Sequence, residues 1–144
     1  YVICWKDKNF NYVYDAIVYC VFISLGFASI ENLIAILSNS GGFALALQRG
    51  LITVPAHAFF GIISGYYLGL AKKYEARRWN KRKRKYIILS LLIPIIVHGM
   101  FDSLLFLSST ASLLFATALI VYLYLSSALK VVKTSSEAKK ITRR

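Results

Sequence analysis

Residues Tyr14 to Leu37 read YDAIVYCVFISLGFASIENLIAIL, an apolar run that contains one carboxylate well inside it, Glu31. A run of this length crosses a hydrocarbon core of roughly 30 Å as an α-helix. An ionised side chain near the middle of such a helix costs roughly 2.5 to 3.5 kcal/mol on insertion scales, and it usually faces a bundle interior or a water-filled cavity. The run therefore predicts a membrane-spanning helix that carries a buried polar site.

The whole chain has the composition of an integral membrane protein. It has 144 residues, of which 58% are hydrophobic, and a mean hydropathy of +0.59. Three further apolar stretches of spanning length follow the first, at Leu51 to Ala71, Tyr86 to Leu107 and Ala111 to Leu129. We expect an all-α fold, a polytopic transmembrane helical bundle of about four spanning helices, which forms a single membrane domain over residues 1–144.

The net charge of +12 is concentrated beside the predicted spans. One basic segment, residues 72–85, joins the second and third spans, and a basic tail occupies residues 130–144. Both segments belong on the cytoplasmic side by the positive-inside rule, so both ends of this chain are predicted to be cytoplasmic. In residues 72–85 the cations alternate with Tyr74 and Trp79, a pattern that favours contact with anionic lipid over nucleic-acid binding.

Four ionisable side chains are expected at a similar depth in the bundle. A helix rises about 1.5 Å per residue, which places Glu31 and His57 each roughly 9 Å from the outer end of its span. His98 and Asp102 lie roughly 13 and 8 Å from the outer end of the third span. These two residues are spaced i, i+4 and therefore share one helix face. The sequence thus predicts a polar site in the outer half of the bundle.

A stripe of small residues predicts that His57 faces a neighbouring helix and not lipid. Gly61, Gly65 and Gly69 follow it at intervals of four, which permits close helix approach. Pro55, two residues before His57, either loosens the helix and frees a carbonyl for the site or marks the first turn of the helix.

Each polar residue also has a structural interpretation. His57 alone is adequately explained as an interhelical hydrogen-bonding residue. Glu31 and Asn32 can serve as polar contacts between helices, while Asp102 either orients His98 or turns toward the outer interface. Arg49, at the outer end of the second span, either pairs with a carboxylate or holds lipid headgroups.

Two histidines, a glutamate and an aspartate are enough for a catalytic zinc site, which needs about three protein ligands and one position for water. The same set also suffices for a water activated by a carboxylate without metal, with an imidazole or the Asn32 amide stabilising the oxyanion. Both interpretations predict hydrolysis. The chain has no HExxH motif, so the spacing alone does not decide whether the site binds a metal ion. It also has no Gly-x-Ser-x-Gly elbow, the motif of a serine nucleophile.

Three ordered motifs lie on three predicted spans: GFASIEN at 26–32, PAHAFFG at 55–61 and HGMFD at 98–102. Together with Arg49 and the GYYLG string at 65–69, they resemble the successive motifs of the PrsW family of intramembrane proteases, which is related to the CAAX-processing type of membrane peptidase. The resemblance implies a prokaryotic plasma-membrane protease that cleaves membrane-anchored regulators such as anti-sigma factors.

The resemblance also implies roles for individual residues. Glu31, His57 and His98 would be the catalytic residues, and the same three would hold a metal ion such as Zn²⁺ if the enzyme uses one. The residues expected to support them are Asn32, Asp102 and Arg49.

One departure from the family pattern bears on activity. The family has an adjacent glutamate pair, EExxK, on a preceding helix, and this chain has no Glu-Glu. We expect the sequence to start after that motif, because Tyr1 to Trp5 looks like the end of an apolar helix, and we expect such a fragment to be inactive by itself. The competing interpretation is a small proton-coupled transporter or membrane scaffold that uses Glu31, His57 and His98 as a buried polar network.

Overall fold

The computed structural model describes residues 4–136, and within that range it consists of four α-helices and no strand. The helices are α1 (Val13–Ser38), α2 (Gly42–Ala76), α3 (Asn80–Leu107) and α4 (Thr110–Ser136). All four are long and apolar enough to cross a membrane, by length and composition. The prediction of an all-α bundle with four spanning helices is confirmed, whereas the assignment of residues 1–144 to a single domain stays a prediction.

The helices extend beyond the predicted spans. The connection between α1 and α2 is residues 39–41, and the connection between α2 and α3 is residues 77–79, so most of the basic segment 72–85 lies on helix ends. Pro55 lies in the interior of α2 and not in its first turn. Hydropathy sets the limits of a span, but backbone hydrogen bonding continues a helix past them. Residues 1–3 and the part of the basic tail beyond residue 136 lie outside the described residues.

The segment before α1 packs against the N-terminal part of α1 and the C-terminal part of α2. Trp5 and Phe10 are buried with Ala16, Leu68 and Ala71 in one apolar cluster. Asp15 starts α1 by accepting hydrogen bonds from backbone N–H groups of the two residues that precede the helix, at 2.8 and 2.7 Å.

Glycines hold α1 and α2 in close contact. A Cβ atom added at Gly61 would lie 2.7 Å from the Cα atom of Val21, and one added at Gly69 would lie 2.6 Å from the Val13 carbonyl oxygen. Gly65 lies between them against the α1 backbone. The glycine stripe therefore faces α1, and side chains larger than hydrogen do not fit at this interface.

Helix α2 is the centre of the bundle, because α1, α3 and α4 all pack against it. A second apolar cluster joins α2 to α3 and α4, and its buried members are Ala56, Phe60, Ile63, Phe101, Ala116 and Leu123. In the described part of the chain the Cα atoms of α1 and α3 stay more than 8 Å apart. A cleft with a cavity of about 520 Å³ therefore separates these two helices, and His57 and His98 contribute to its lining.

Candidate active site

His57 is oriented by the backbone of its own helix. Its side chain is 2% exposed, and its Nδ1 atom lies 2.8 Å from the carbonyl oxygen of Thr53, one turn earlier in α2. With the proton on Nδ1, that nitrogen donates to the carbonyl and Nε2 keeps a free lone pair. Imidazoles that bind metals are commonly fixed by this kind of bond at the second ring nitrogen.

Glu31 is oriented by Arg49 across the α1–α2 connection. The Nη2 atom of Arg49 donates to Glu31 Oε1 at 3.1 Å, and its Nε atom donates to Asn32 Oδ1 at 2.7 Å. The planar guanidinium group thus binds two adjacent side chains at once. The second carboxylate oxygen of Glu31, Oε2, is left facing the histidines, at 3.1 Å from His57 Nε2 and 3.9 Å from His98 Nε2.

The ligand atoms of Glu31, His57 and His98 all lie within 4.8 Å of one another. Glu31 Oε2 and the two Nε2 atoms are shielded from solvent, and none of the three has a hydrogen-bond partner among residues 4–136. The separation of 3.1 Å between His57 Nε2 and Glu31 Oε2 is short enough for a bond, but the geometry of the two groups does not make one. Buried polar atoms without partners are costly, and a divalent cation bound by all three would satisfy them together.

Asp102 lies beside this cluster but outside it. Its Oδ2 atom is 3.2 Å from His98 Nε2, as the i, i+4 spacing predicts, and its side chain is 53% exposed. It is therefore the more exposed of the two carboxylates at the site. Asn32 uses its carbonyl oxygen to hold Arg49, so its contact with Glu31 in this structure is indirect.

Aromatic rings enclose the two imidazoles. The Phe60 ring centroid lies 5.6 Å from that of His57 and 5.2 Å from that of His98, and Phe27 of α1 lies 5.8 and 6.1 Å from the same two rings. The imidazole rings themselves are 4.9 Å apart. An apolar enclosure lowers the local dielectric and strengthens electrostatic interactions within it.

Sequence reasoning missed three of these contacts. Thr53 and Phe60 are four residues before and three residues after His57, so helical spacing places both next to that side chain. Phe27 is four residues before Glu31, so the same spacing places it near that carboxylate, but its contacts with the two imidazoles depend on how α1 packs against α2 and α3.

The structure brings together the three residues predicted to be catalytic and places all three predicted supporting residues next to them; the roles of all six stay predictions. Four helices of membrane-spanning length and a Glu/His/His cluster with buried ligand atoms define an integral membrane protein with a candidate metal centre. A family model described as "PrsW family intramembrane metalloprotease" matches residues 1–129. The chain belongs to this family, and the resemblance noted in its motifs is confirmed.

Curated relatives named "Protease PrsW" support the same assignment. The one from Clostridioides difficile strain 630 is 35% identical over 94% of this chain and 57% of its own length. Those from Halalkalibacterium halodurans and Bacillus subtilis strain 168 are 42% and 38% identical, over 76% and 70% of this chain and 47% and 44% of their own lengths. The chain thus spans about half the length of these relatives. No solved structure matches it.

Proposed function

We propose that this chain forms the metal-binding core of an intramembrane protease that hydrolyses a peptide bond in a membrane-anchored protein. The observation that carries the proposal is the convergence of Glu31 Oε2 and two histidine Nε2 atoms in a buried position where no hydrogen bond satisfies them. Membership of a metalloprotease family supports the same function.

The donor set fits Zn²⁺. Two imidazole nitrogens and one carboxylate oxygen are a recurrent ligand set for catalytic zinc, which keeps a fourth position open. His57, His98 and Glu31 would hold the ion. When bound there, the ion supplies Lewis-acid polarisation of a carbonyl group and makes a bound water more acidic.

The neighbouring residues prepare this site. Thr53 fixes the ring of His57 so that Nε2 faces the centre. Arg49 binds Oε1 of Glu31, which orients the carboxylate and leaves Oε2 for the cation. Asp102 acts as a general base: it lies beside His98 at the edge of the cluster, and its carboxylate accepts a proton from an attacking water.

The cleft between α1 and α3 offers a route for an apolar substrate segment. Its cavity of about 520 Å³ is within the range of ligand sites, and its lining is mainly apolar, with Phe27, Leu68, Leu91 and Ile95 as examples. A transmembrane segment of a protein that enters this cleft would meet His57 and His98 directly. By the family resemblance, the substrates are membrane-anchored regulators such as anti-sigma factors.

The charges support an orientation in a prokaryotic plasma membrane with the basic segment 72–85 in the cytoplasm. Apart from Lys83, the cations of residues 77–85 are exposed, and Arg82 stacks on Trp79, with 4.6 Å from guanidinium carbon to ring centroid. This arrangement suits anionic lipid headgroups at the inner surface. In this orientation the Glu/His/His cluster lies in the outer half of the bundle, and cleavage takes place near the extracytoplasmic face.

The proposal is tested with the protein expressed from its complete reading frame and reconstituted in vesicles with a single-span reporter derived from an anti-sigma factor. Glu31→Gln, His57→Ala and His98→Ala should each abolish cleavage and zinc binding. Asp7→Asn is the matched control: it makes the same acid-to-amide change at an exposed carboxylate before α1, outside the site.

Cleavage that persists in Glu31→Gln would contradict the proposal. Proton flux in vesicles that show no cleavage would instead favour the transporter interpretation.

A further inference from the structure

Helix α3 lacks one of its own backbone hydrogen bonds below the candidate metal centre. Pro94 lies inside the helix and has no N–H group, so the carbonyl of Ser90, four residues earlier, has no donor within the helix. Ser90 is 3% exposed. A buried carbonyl without a donor costs free energy comparable to a lost hydrogen bond, so a partner from elsewhere is required.

Ser64 of α2 supplies the missing donor. Its hydroxyl group donates to the Ser90 carbonyl oxygen at 2.7 Å. The hydroxyl of Ser90 does not compete for this role, because it donates to the carbonyl of Ile87 at 2.7 Å. One side chain of α2 is thus bonded to the backbone of α3 at the carbonyl that the proline leaves free.

The register of the two helices links this bond to the histidines. Ser64 follows His57 by seven residues and Ser90 precedes His98 by eight, so each pair is about two helical turns, or roughly 11 Å, apart on one helix face. The hydrogen bond from Ser64 to the Ser90 carbonyl is therefore at a lower level of the α2–α3 interface, and the two imidazoles are at an upper level of the same interface. A shift of α3 at the lower level moves His98 relative to His57 at the upper level.

We propose that Ser64 is a positioning residue, which uses the carbonyl freed by Pro94 to hold α3 on α2 and so sets the distance between His57 Nε2 and His98 Nε2. Its effect on metal binding rests on the proposed function, but the bond between the helices does not. Ser64 touches no ligand atom of the cluster, so it acts through the placement of α3.

The test is a double-mutant cycle of Ser64→Ala and Pro94→Ala, with zinc affinity, the visible spectrum of bound Co²⁺ and the thermal unfolding midpoint measured in each variant. Ser64→Ala should lower zinc affinity about 10-fold, the low end of the range for residues that hydrogen-bond a metal ligand directly, because Ser64 acts only through the placement of α3, and it should alter the Co²⁺ spectrum. In the Pro94→Ala background the same change should lower affinity less than about threefold, because the new N–H at position 94 serves the Ser90 carbonyl.

Ser103→Ala is the matched control. Its hydroxyl also donates to a carbonyl of α3, that of Gly99, at 2.7 Å. Four residues after Gly99 the helix has a backbone N–H group, that of Ser103 itself, so this carbonyl does not depend on the hydroxyl for a donor. Affinity and spectrum should not change in this variant.

Two results would overturn the inference. Equal losses of affinity from Ser64→Ala with proline and with alanine at position 94 would mean that Ser64 acts by packing. If Ser64→Ala changes neither zinc affinity nor the unfolding midpoint in the protein that keeps Pro94, the hydrogen bond positions nothing. If the unsubstituted protein binds no zinc, the proposed function fails, and the unfolding midpoints decide the inference alone. A loss of midpoint that depends on Pro94 supports it, and an equal or absent loss rejects it.

Discussion

Replacing Gly61 with alanine should separate α1 from α2 and disturb the Glu/His/His cluster together with the fold. The added Cβ atom would lie 2.7 Å from Val21 Cα and 2.9 Å from the Cys20 carbonyl oxygen, and both are backbone atoms that cannot rotate away. To restore a separation of about 3.4 Å, the helices must move apart by roughly 0.7 Å. Overpacking of this kind costs about 1–3 kcal/mol.

The movement reaches the site because Gly61 is one turn from His57, while Glu31 lies on the opposing helix. We expect both a lower free energy of unfolding, measured by denaturation with sodium dodecyl sulfate in mixed micelles, and weaker zinc binding. Gly26→Ala is the matched control, since a Cβ atom at Gly26 meets nothing within 4 Å. That variant should be unchanged or up to about 1 kcal/mol more stable, because alanine favours the helix. Equal stability of the two variants would refute the close approach of α1 and α2.

Three further predictions concern the residues around this core. Arg49→Gln should weaken zinc binding about tenfold or more, because Glu31 loses the group that orients it. The zinc affinity of Arg49→Lys should fall between those of the unsubstituted protein and Arg49→Gln, and competition with a chromophoric chelator measures all three. Trp5→Phe should lower the free energy of unfolding by about 1 kcal/mol, because the Trp5 Nε1–H group donates to Glu75 at 3.1 Å. Trp79→Phe, at an exposed position, should change it by less than about 0.5 kcal/mol in the same denaturation with sodium dodecyl sulfate. Incubation with 1,10-phenanthroline should abolish cleavage of the reporter and lower the thermal midpoint, and added Zn²⁺ should restore both.

The helices and the convergence of the site were predictable from the sequence for one physical reason. A membrane fixes the length and direction of each span, so the position of a residue in the sequence gives its depth. Glu31, His57 and His98 were expected at similar depths, and their ligand atoms do lie within 4.8 Å of one another. The four-residue spacing of the glycines likewise predicted a close helix contact.

The identity of the partner helices was not predictable, because depth says nothing about rotation around a helix axis. The glycine stripe could have faced any neighbour, and in the structure it faces α1. Nor did the sequence indicate that α1 and α3 leave a cleft between them.

Contacts between distant segments were also beyond sequence reasoning. Trp5 and Glu75 are 70 positions apart, and their hydrogen bond depends on how the segment before α1 folds back on α2. The bond from Ser64 to the Ser90 carbonyl depends on the packing of two helices, although Pro94 alone shows that some donor is needed.

The most direct test of the central claim is X-ray absorption spectroscopy of the zinc-loaded protein. A site built from His57, His98 and Glu31 predicts a first shell with two imidazole nitrogens and carboxylate or water oxygen, all at about 2.0–2.2 Å. In Glu31→Gln and in His98→Ala this shell should lose a ligand or the ion altogether. A first shell with sulfur at about 2.3 Å, or one without imidazole, would contradict the account, because the ion would then be bound elsewhere.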